Sequence, residues 1–292
     1  MRESFLKYIQ FERRFSPHTI TSYENDLNQF QTFLNENYDI PLEKANHNAI
    51  RHWIVTLMEI GTSPKTVNRK MASLRTFYKF LMKREVIKKD PTWKIQSLKT
   101  SKALPQFINE PDITRLLDQC EFTDDFMGKR DQLILELLYG TGIRLSELIG
   151  LKASDVNFRS QTIKVLGKRN KERVIPFSKS LGLLIASYQT QKNNTVSTNE
   201  GDYLLVTDNG DQCYPMLIYR TVKKYLDLFT TIEKRSPHVL RHTFATHLLN
   251  KGAELNAVKD LLGHTSLAAT QVYTHNSLEK LKTVFDQAHP KA

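Results

Sequence analysis

The chain has 292 residues, 40% of them hydrophobic and 10% aromatic, enough apolar material for one to three domain cores, with two favoured, and too much for wholesale disorder. No apolar run approaches the ~20 residues of a membrane span, the N-terminal stretch MRESFLKYIQFERR is charged where a signal peptide is apolar, and two cysteines, Cys120 and Cys213, are too few for a disulfide framework or a four-cysteine zinc site. A cytoplasmic protein is expected. The net charge of +11 is uneven: residues 51–100 hold twelve basic and three acidic side chains, whereas residues 1–50 hold five and seven. Concentrated positive charge points to a polyanionic partner, with a solvated lysine-rich face as the ordinary alternative.

Residues 1–96 read as a helical bundle. Ser16-Pro17 has the form of an N-cap followed by proline at the first helical position, and Ile20, Tyr23, Leu27, Phe30 and Leu34 then recur at helical spacing. Ile50, Trp53, Ile54, Leu57 and Met58 form the stripe of a further helix that ends at Gly61. Ser63-Pro64 repeats the opening signal. From there Val67, Met71, Leu74, Tyr78 and Leu81 make an apolar face, with Lys65, Arg69, Lys79 and Lys83 opposite and Lys70 and Arg75 nearby, so these six are the candidate side chains for a polyanionic partner, nucleic acid or anionic lipid.

Past Asp90-Pro91 the periodicity is lost, and residues 97–107 are expected to link the first domain to a second over 108–292. That second part predicts helices around 113–117, 133–138, 181–188, 217–229 and 239–249. Thr162–Leu166 and residues 173–177 read as short strands joined by the basic tip Gly167-Lys168-Arg169-Asn170-Lys171, and residues 191–202 as a polar loop. The fold class expected is mainly α with a small antiparallel β-sheet, an α+β arrangement.

Several signatures are excluded. Gly167-Lys168 lacks the first glycine and the following Ser or Thr of a phosphate-binding loop, and no Gly-x-Ser-x-Gly elbow occurs. His238 and His242 have the i, i+4 spacing of a zinc site, with His247 close by, but the His-Glu-x-x-His pattern and a third ligand are missing, so no metal is expected. What remains is Arg144 in GTGIRLSELIGL, Lys168 in VLGKRNKERVIP, His238 and Arg241 in SPHVLRHTFATHLL, His264 in LLGHTSLAATQVYTH, and Tyr273. Guanidinium forks clamp phosphate oxygens, imidazoles donate hydrogen bonds or move protons, and a phenol can attack phosphorus to form an ester. Each alone has an ordinary reading: Arg144 paired with Glu147, Lys168 solvated, His264 closing a helix, Tyr273 in a core. Their joint occurrence in this order is far less ordinary.

On these motifs the chain resembles the tyrosine recombinases, the phage-integrase family, and within it the Xer-type site-specific recombinases of bacteria. The matching segments are Gly142-Ile143-Arg144-Leu145-Ser146-Glu147-Leu148, Pro237-His238-Val239-Leu240-Arg241-His242-Thr243-Phe244-Ala245-Thr246, Leu262-Gly263-His264 and Tyr273-Thr274-His275. Arg169 departs from the small residue usual in that hairpin. The resemblance implies a helical domain and a catalytic domain clamping duplex DNA at a specific site, with attack by Tyr273 leaving a 3′-phosphotyrosyl link. It further implies that Arg144, Arg241 and His264 stabilise the phosphate, that Lys168 protonates the leaving 5′ oxygen, that His238 accepts the phenol proton or positions the phosphate, and that Glu147 orients Arg144. No metal, cofactor or ATP is implied, but self-association into a tetramer on DNA is, along with a possible paralogous recombinase or accessory protein and a nucleoid-bound cytoplasmic location. For the segment with Leu278, Leu281 and Phe285, capping its own domain is the ordinary reading, and the resemblance favours docking on a neighbouring protomer. A type IB topoisomerase-like relaxase and a DNA-binding protein that merely keeps the fold stay open as alternatives; the target sequence and host role are not legible.

Overall fold

Ser16-Pro17 and Ser63-Pro64 each start a helix, as their capping chemistry predicts. The computed structural model describes residues 1–100, 106–167, 172–196 and 201–263, together with Thr283, Phe285 and Ala288. Two units divide the chain, Met1–Ala103 and Leu104–Ala292. In the first, α1 (Arg2–Lys7) runs into a π-helical turn at Tyr8–Glu12 and is followed by α2 (Pro17–Tyr38), α3 (His47–Glu59) and α4 (Pro64–Lys83). The Ser16 and Ser63 hydroxyls accept from the amides of Thr19 and Thr66, and Asn46 does the same for Ala49 at the start of α3. Proline at the next position loses only an amide that the first helical turn leaves unpaired.

The apolar stripe of α4 is buried at Val67, Met71, Leu74, Tyr78 and Leu81, and Phe77 and Phe80 join it. Phe5 meets Phe77 edge to face with centroids 5.3 Å apart, and Phe30 lies 4.7 Å from Trp53. Burial of Tyr78 is tolerated because its hydroxyl donates to the Leu42 carbonyl at 2.9 Å. The stripe expected on α3 holds at Ile50, Trp53 and Leu57, but Met58 is exposed, since one residue further turns the side chain ~100° away from the core.

The second unit is built round α6 (Phe126–Thr141), whose residues 133–135 and 137–141 are all buried, so the C-terminal half of this helix is enclosed on nearly every side. Around it pack α5 (Glu110–Asp118), α8 (Lys179–Thr195), α9 (Pro215–Phe229) and α10 (Pro237–Asn250), while α7 (Leu145–Gly150) and α11 (Leu255–Leu262) are short. Three antiparallel strands, β1 (Val156–Asn157), β2 (Thr162–Leu166) and β3 (Glu172–Pro176), lie in that order, with Ile163 opposite Ile175 and Val165 opposite Arg173. The protein is therefore mainly α with a small antiparallel sheet. β1 was not expected from the sequence; two residues are too few to show alternation.

Two expectations need correction. Residues 191–195, expected in a loop, extend α8, because the Lys192 stem is buried on that turn and its ammonium donates to the Tyr203 carbonyl at 2.9 Å. Lys70, expected beside the cationic face of α4, is buried and paired with Asp26. Phe285 and Ala288 are buried against the core of the second unit, while Leu278 and Leu281 lie outside the described residues.

Candidate active site

Arg144 owes its position to a turn that only glycine fits. Gly142 closes α6 in the left-handed region at φ +59°, and a Cβ there would stand 2.5 Å from Phe244 Cδ1 on α10. The chain then reverses, and Arg144 becomes the N-cap of α7. Its backbone amide donates to Glu147 Oε2 at 2.8 Å and its Nη1 to Glu147 Oε1 at 2.7 Å, so one carboxylate both caps the helix and aims the guanidinium.

Arg241 arrives from α10, one turn inside the helix, and is almost fully buried. Its Nη1 donates to the Gly142 carbonyl and its Nη2 to the Leu262 carbonyl at 2.6 Å. A third arginine completes the cluster: Arg173, on β3, forks onto Glu147 through Nη1 at 2.7 Å and Nη2 at 2.8 Å, and its Nε donates to the Leu261 carbonyl at 2.9 Å. Arg144 Nη2 reaches the Gly263 carbonyl at 2.9 Å. Three consecutive carbonyls at the C-terminal end of α11, from residues 261 to 263, each accept from a different arginine. These acceptors have no partner within their own helix and carry its negative dipole end, so they suit cations.

The electrostatics follow from this crowding. Burial alone would raise the Glu147 carboxyl, but the hydrogen bonds and charge of Arg173, then those of Arg144, outweigh it and hold the group at about 2. Burial, followed by repulsion from Arg144 and Arg173, lowers Arg241 to about 10. Three guanidinium groups thus surround one carboxylate. The surplus makes the cluster a site for an anion, and Arg144, with its side chain 30% exposed, is the arginine open to solvent.

The six candidate residues fall in three groups. Arg144 and Arg241 are brought together. His238 sits exposed on the first turn of α10, one turn before Arg241. Lys168, His264 and Tyr273 lie outside the described residues, although His264 directly follows Gly263 in the chain. His247 does not join the other histidines: it is buried, with Nδ1 3.1 Å from the Tyr139 hydroxyl and Nε2 2.9 Å from the Ile108 carbonyl. The described residues contain no group of three His, Cys, Asp or Glu side chains placed to hold a metal ion. Sequence reasoning missed Arg173, reading it only as the start of a strand. Its signal was the alternation itself: a charged residue in phase with buried Ile175 must face inward.

On α4, the side chains of Lys65, Arg69, Ala72, Lys79 and Lys83 make an exposed stripe. Arg69, however, is tied to Asp26 at 2.6 and 2.9 Å and to the Ser22 hydroxyl at 2.6 Å, and Arg75 donates to the Ile95 carbonyl at 2.6 Å.

Residues 106–280 match the model of the phage integrase family, and residues 3–85 that of the phage integrase N-terminal SAM-like domain. The chain is 39% identical to tyrosine recombinase XerC of Staphylococcus carnosus over 292 residues, covering 100% of this chain and 98% of the relative. Against the XerC of Listeria innocua identity is 38% over 294 residues, again with 100% and 98% covered. A crystal structure of the XerH site-specific recombinase bound to a palindromic difH substrate, a post-cleavage complex, superposes with a TM-score of 0.73 at 21% identity, over 97% of this chain and 83% of that one, and so has the same fold.

Proposed function

The chain belongs to the phage integrase family and is a tyrosine recombinase, and on that premise we propose that it cuts and rejoins duplex DNA at a specific site through a 3′-phosphotyrosyl intermediate on Tyr273, without metal or ATP. The observation that carries the reading is that Arg144 and Arg241 both donate to the C-terminal end of α11, at Gly263 and Leu262, each with side-chain N–H donors that no partner among the described residues takes. A guanidinium has five N–H donors, and among the described residues each of these two makes two side-chain hydrogen bonds. The remainder bind the non-bridging oxygens of the scissile phosphate and stabilise the charge that grows there during attack. In this site the arginines supply the positive charge that metal ions provide in many phosphoryl-transfer enzymes.

The phenol oxygen of Tyr273 forms a bond to phosphorus as the bond to the 5′ oxygen breaks. His238 takes the phenol proton or holds the phosphate, Lys168 protonates the departing 5′ oxygen, and His264 donates a further hydrogen bond. The ester keeps the bond energy, so the reverse attack by a 5′ hydroxyl rejoins a strand with no external energy source. Duplex DNA lies against the exposed cations of α4, and four protomers assemble on two duplexes, alone or with a second recombinase.

A nicked suicide substrate tests the nucleophile. Tyr273→Phe should bind DNA as the wild type does and form no denaturant-resistant adduct; an adduct would move the nucleophile elsewhere. For Lys168, sulfur in place of the bridging 5′ oxygen supplies a leaving group that needs no proton. Cleavage by Lys168→Ala should recover on it while Arg144→Ala stays slow.

A further inference from the structure

Arg173 lies in the VLGKRNKERVIP segment but outside the four segments that carry the family resemblance, yet it makes three of the hydrogen bonds that build the site. An ionised carboxylate offers about four acceptor positions. On Glu147 all four are filled: two by the fork of Arg173, one by Arg144 Nη1 and one by the Arg144 amide. The Glu147 side chain is only 3% exposed and Arg173 only 4%, so water cannot replace either partner. With Arg173 on both oxygens, Arg144 reaches Glu147 through a single guanidinium nitrogen besides its backbone amide, and its Nη2 is turned to the Gly263 carbonyl.

The fit extends to the backbone of the neighbouring helix end. Gly263 closes α11 at φ +62°, and a Cβ there would lie 3.0 Å from Arg173 Cδ and 3.2 Å from its Nε. The glycine of the Leu-Gly-His motif is therefore the space in which the Arg173 side chain lies, and Arg173 in turn ties β3 to the carbonyl of Leu261. Through this one side chain, the strand that follows the Lys168 hairpin, the helix that begins at Arg144 and the helix end from which the chain continues to His264 share a common anchor.

We infer that Arg173 is a positioning residue for the phosphate clamp: by saturating Glu147 and anchoring the end of α11, it keeps Arg144 from being captured in a two-nitrogen ion pair with Glu147. The inference rests on the reading that Arg144 binds the scissile phosphate. Without Arg173, a buried carboxylate with two vacant positions faces one cation. Arg144 would rotate to close the fork, its Nη2 would leave Gly263, and the donors meant for phosphate would be spent on Glu147.

The test uses the full chain, duplex target DNA and a nicked suicide substrate, with adduct formation measured at saturating protein. Arg173→Met keeps the stem and removes the fork; adduct formation should fall on the order of 10²-fold, the scale of a misplaced reacting group, with DNA affinity unchanged. Adding Glu147→Gln removes the charge that would capture Arg144, so the double variant should be faster than Arg173→Met alone, by roughly tenfold or more. A merely structural arginine predicts the reverse, since two core substitutions compound each other. Should Arg173→Met fail to fold, Arg173→Lys retains the charge without the fork and should still be slow, with Glu147→Gln again restoring rate. Wild-type adduct formation by either arginine variant, or no restoration by Glu147→Gln, overturns the inference. Arg144→Ala, run in parallel, separates the two readings: if it cleaves at the wild-type rate, the clamp itself is wrong, whereas a slow Arg144→Ala beside a normal Arg173→Lys removes only the role of Arg173.

Discussion

Asp26 in the first unit and Glu147 in the second are both buried carboxylates gripped by two basic side chains, but they leave those cations in different conditions. Asp26 collects Arg69, Lys70 and the Ser73 hydroxyl, and the second acceptor of Lys70 is the side chain of Gln29. There the cations turn inward to one acid and join α2 to α4. Around Glu147 the arginines also grip backbone carbonyls at a helix end, which bind a cation without cancelling its charge. One network holds a fold together at the expense of its cationic face; the other holds a surplus of charge in place for an incoming anion.

If that contrast is right, the largest effect should be on stability in the first unit. Asp26→Ala leaves Lys70 buried without its anion and should lower the unfolding free energy by about 3–5 kcal/mol in urea denaturation. Replacing both partners, Asp26→Leu with Lys70→Met, should recover most of that loss. A single variant as stable as the wild type would mean that the Asp26 network contributes nothing.

In the second unit the same kind of deletion should read out as rate. Arg241→Ala and Arg144→Ala should each slow covalent adduct formation by ~10²–10³-fold, as when an oxyanion donor is removed. Adduct formation at the wild-type rate would place the phosphate elsewhere.

Acid sharpens the comparison further. The Glu147 carboxyl lies at about 2 in the folded protein against an ordinary 4.5, so it binds protons less readily when folded. Its contribution to stability is complete above pH 4.5 and is lost as pH falls from there through about 2. Urea denaturation at pH 6, 4 and 3 should show the wild type losing stability more steeply than Glu147→Gln over that window. Parallel curves would deny the carboxylate its depressed value.

The smallest effect belongs to the surface of α4. Replacing Lys65, Lys79 and Lys83 singly with alanine should each reduce the slope of log affinity against log salt by about one unit if each meets a phosphate. Lys70→Met should leave the slope unchanged, because that cation is already committed to Asp26. A slope change for Lys70 equal to that for Lys79 would show that the buried pair opens on DNA.

Much of this was legible beforehand because it is local. Ser-Pro at 16–17 and 63–64 starts helices through bonds made within three residues, the stripe from Val67 to Leu81 follows from 3.6 residues per turn, and the β2–β3 hairpin follows from alternation and a glycine tip. The arginines of the site were legible through motifs that each sit at a turn or a helix start. Arg173 was not. Its alternation aims it inward with Ile175, whereas Lys164 on the paired strand is out of phase with Ile163 and Val165 and stays exposed, but nothing nearby in the sequence marks Glu147 or Leu261 as its partners.

By itself, then, the sequence determined where helices and strands begin, which faces are apolar, and which basic side chains are available to a phosphate. Only the tertiary structure decided where each of those cations is spent. Arg69 and Lys70 are neighbours in the chain, yet one is half-exposed and the other buried on the same acid, more than forty residues away. Arg173 meets Glu147 across 26 residues and Leu261 across 88. The physical reason is range: helix and strand periods set the direction in which a side chain leaves the backbone, whereas the partner of a long, flexible cation is chosen by what folding brings within about 3 Å of its tip.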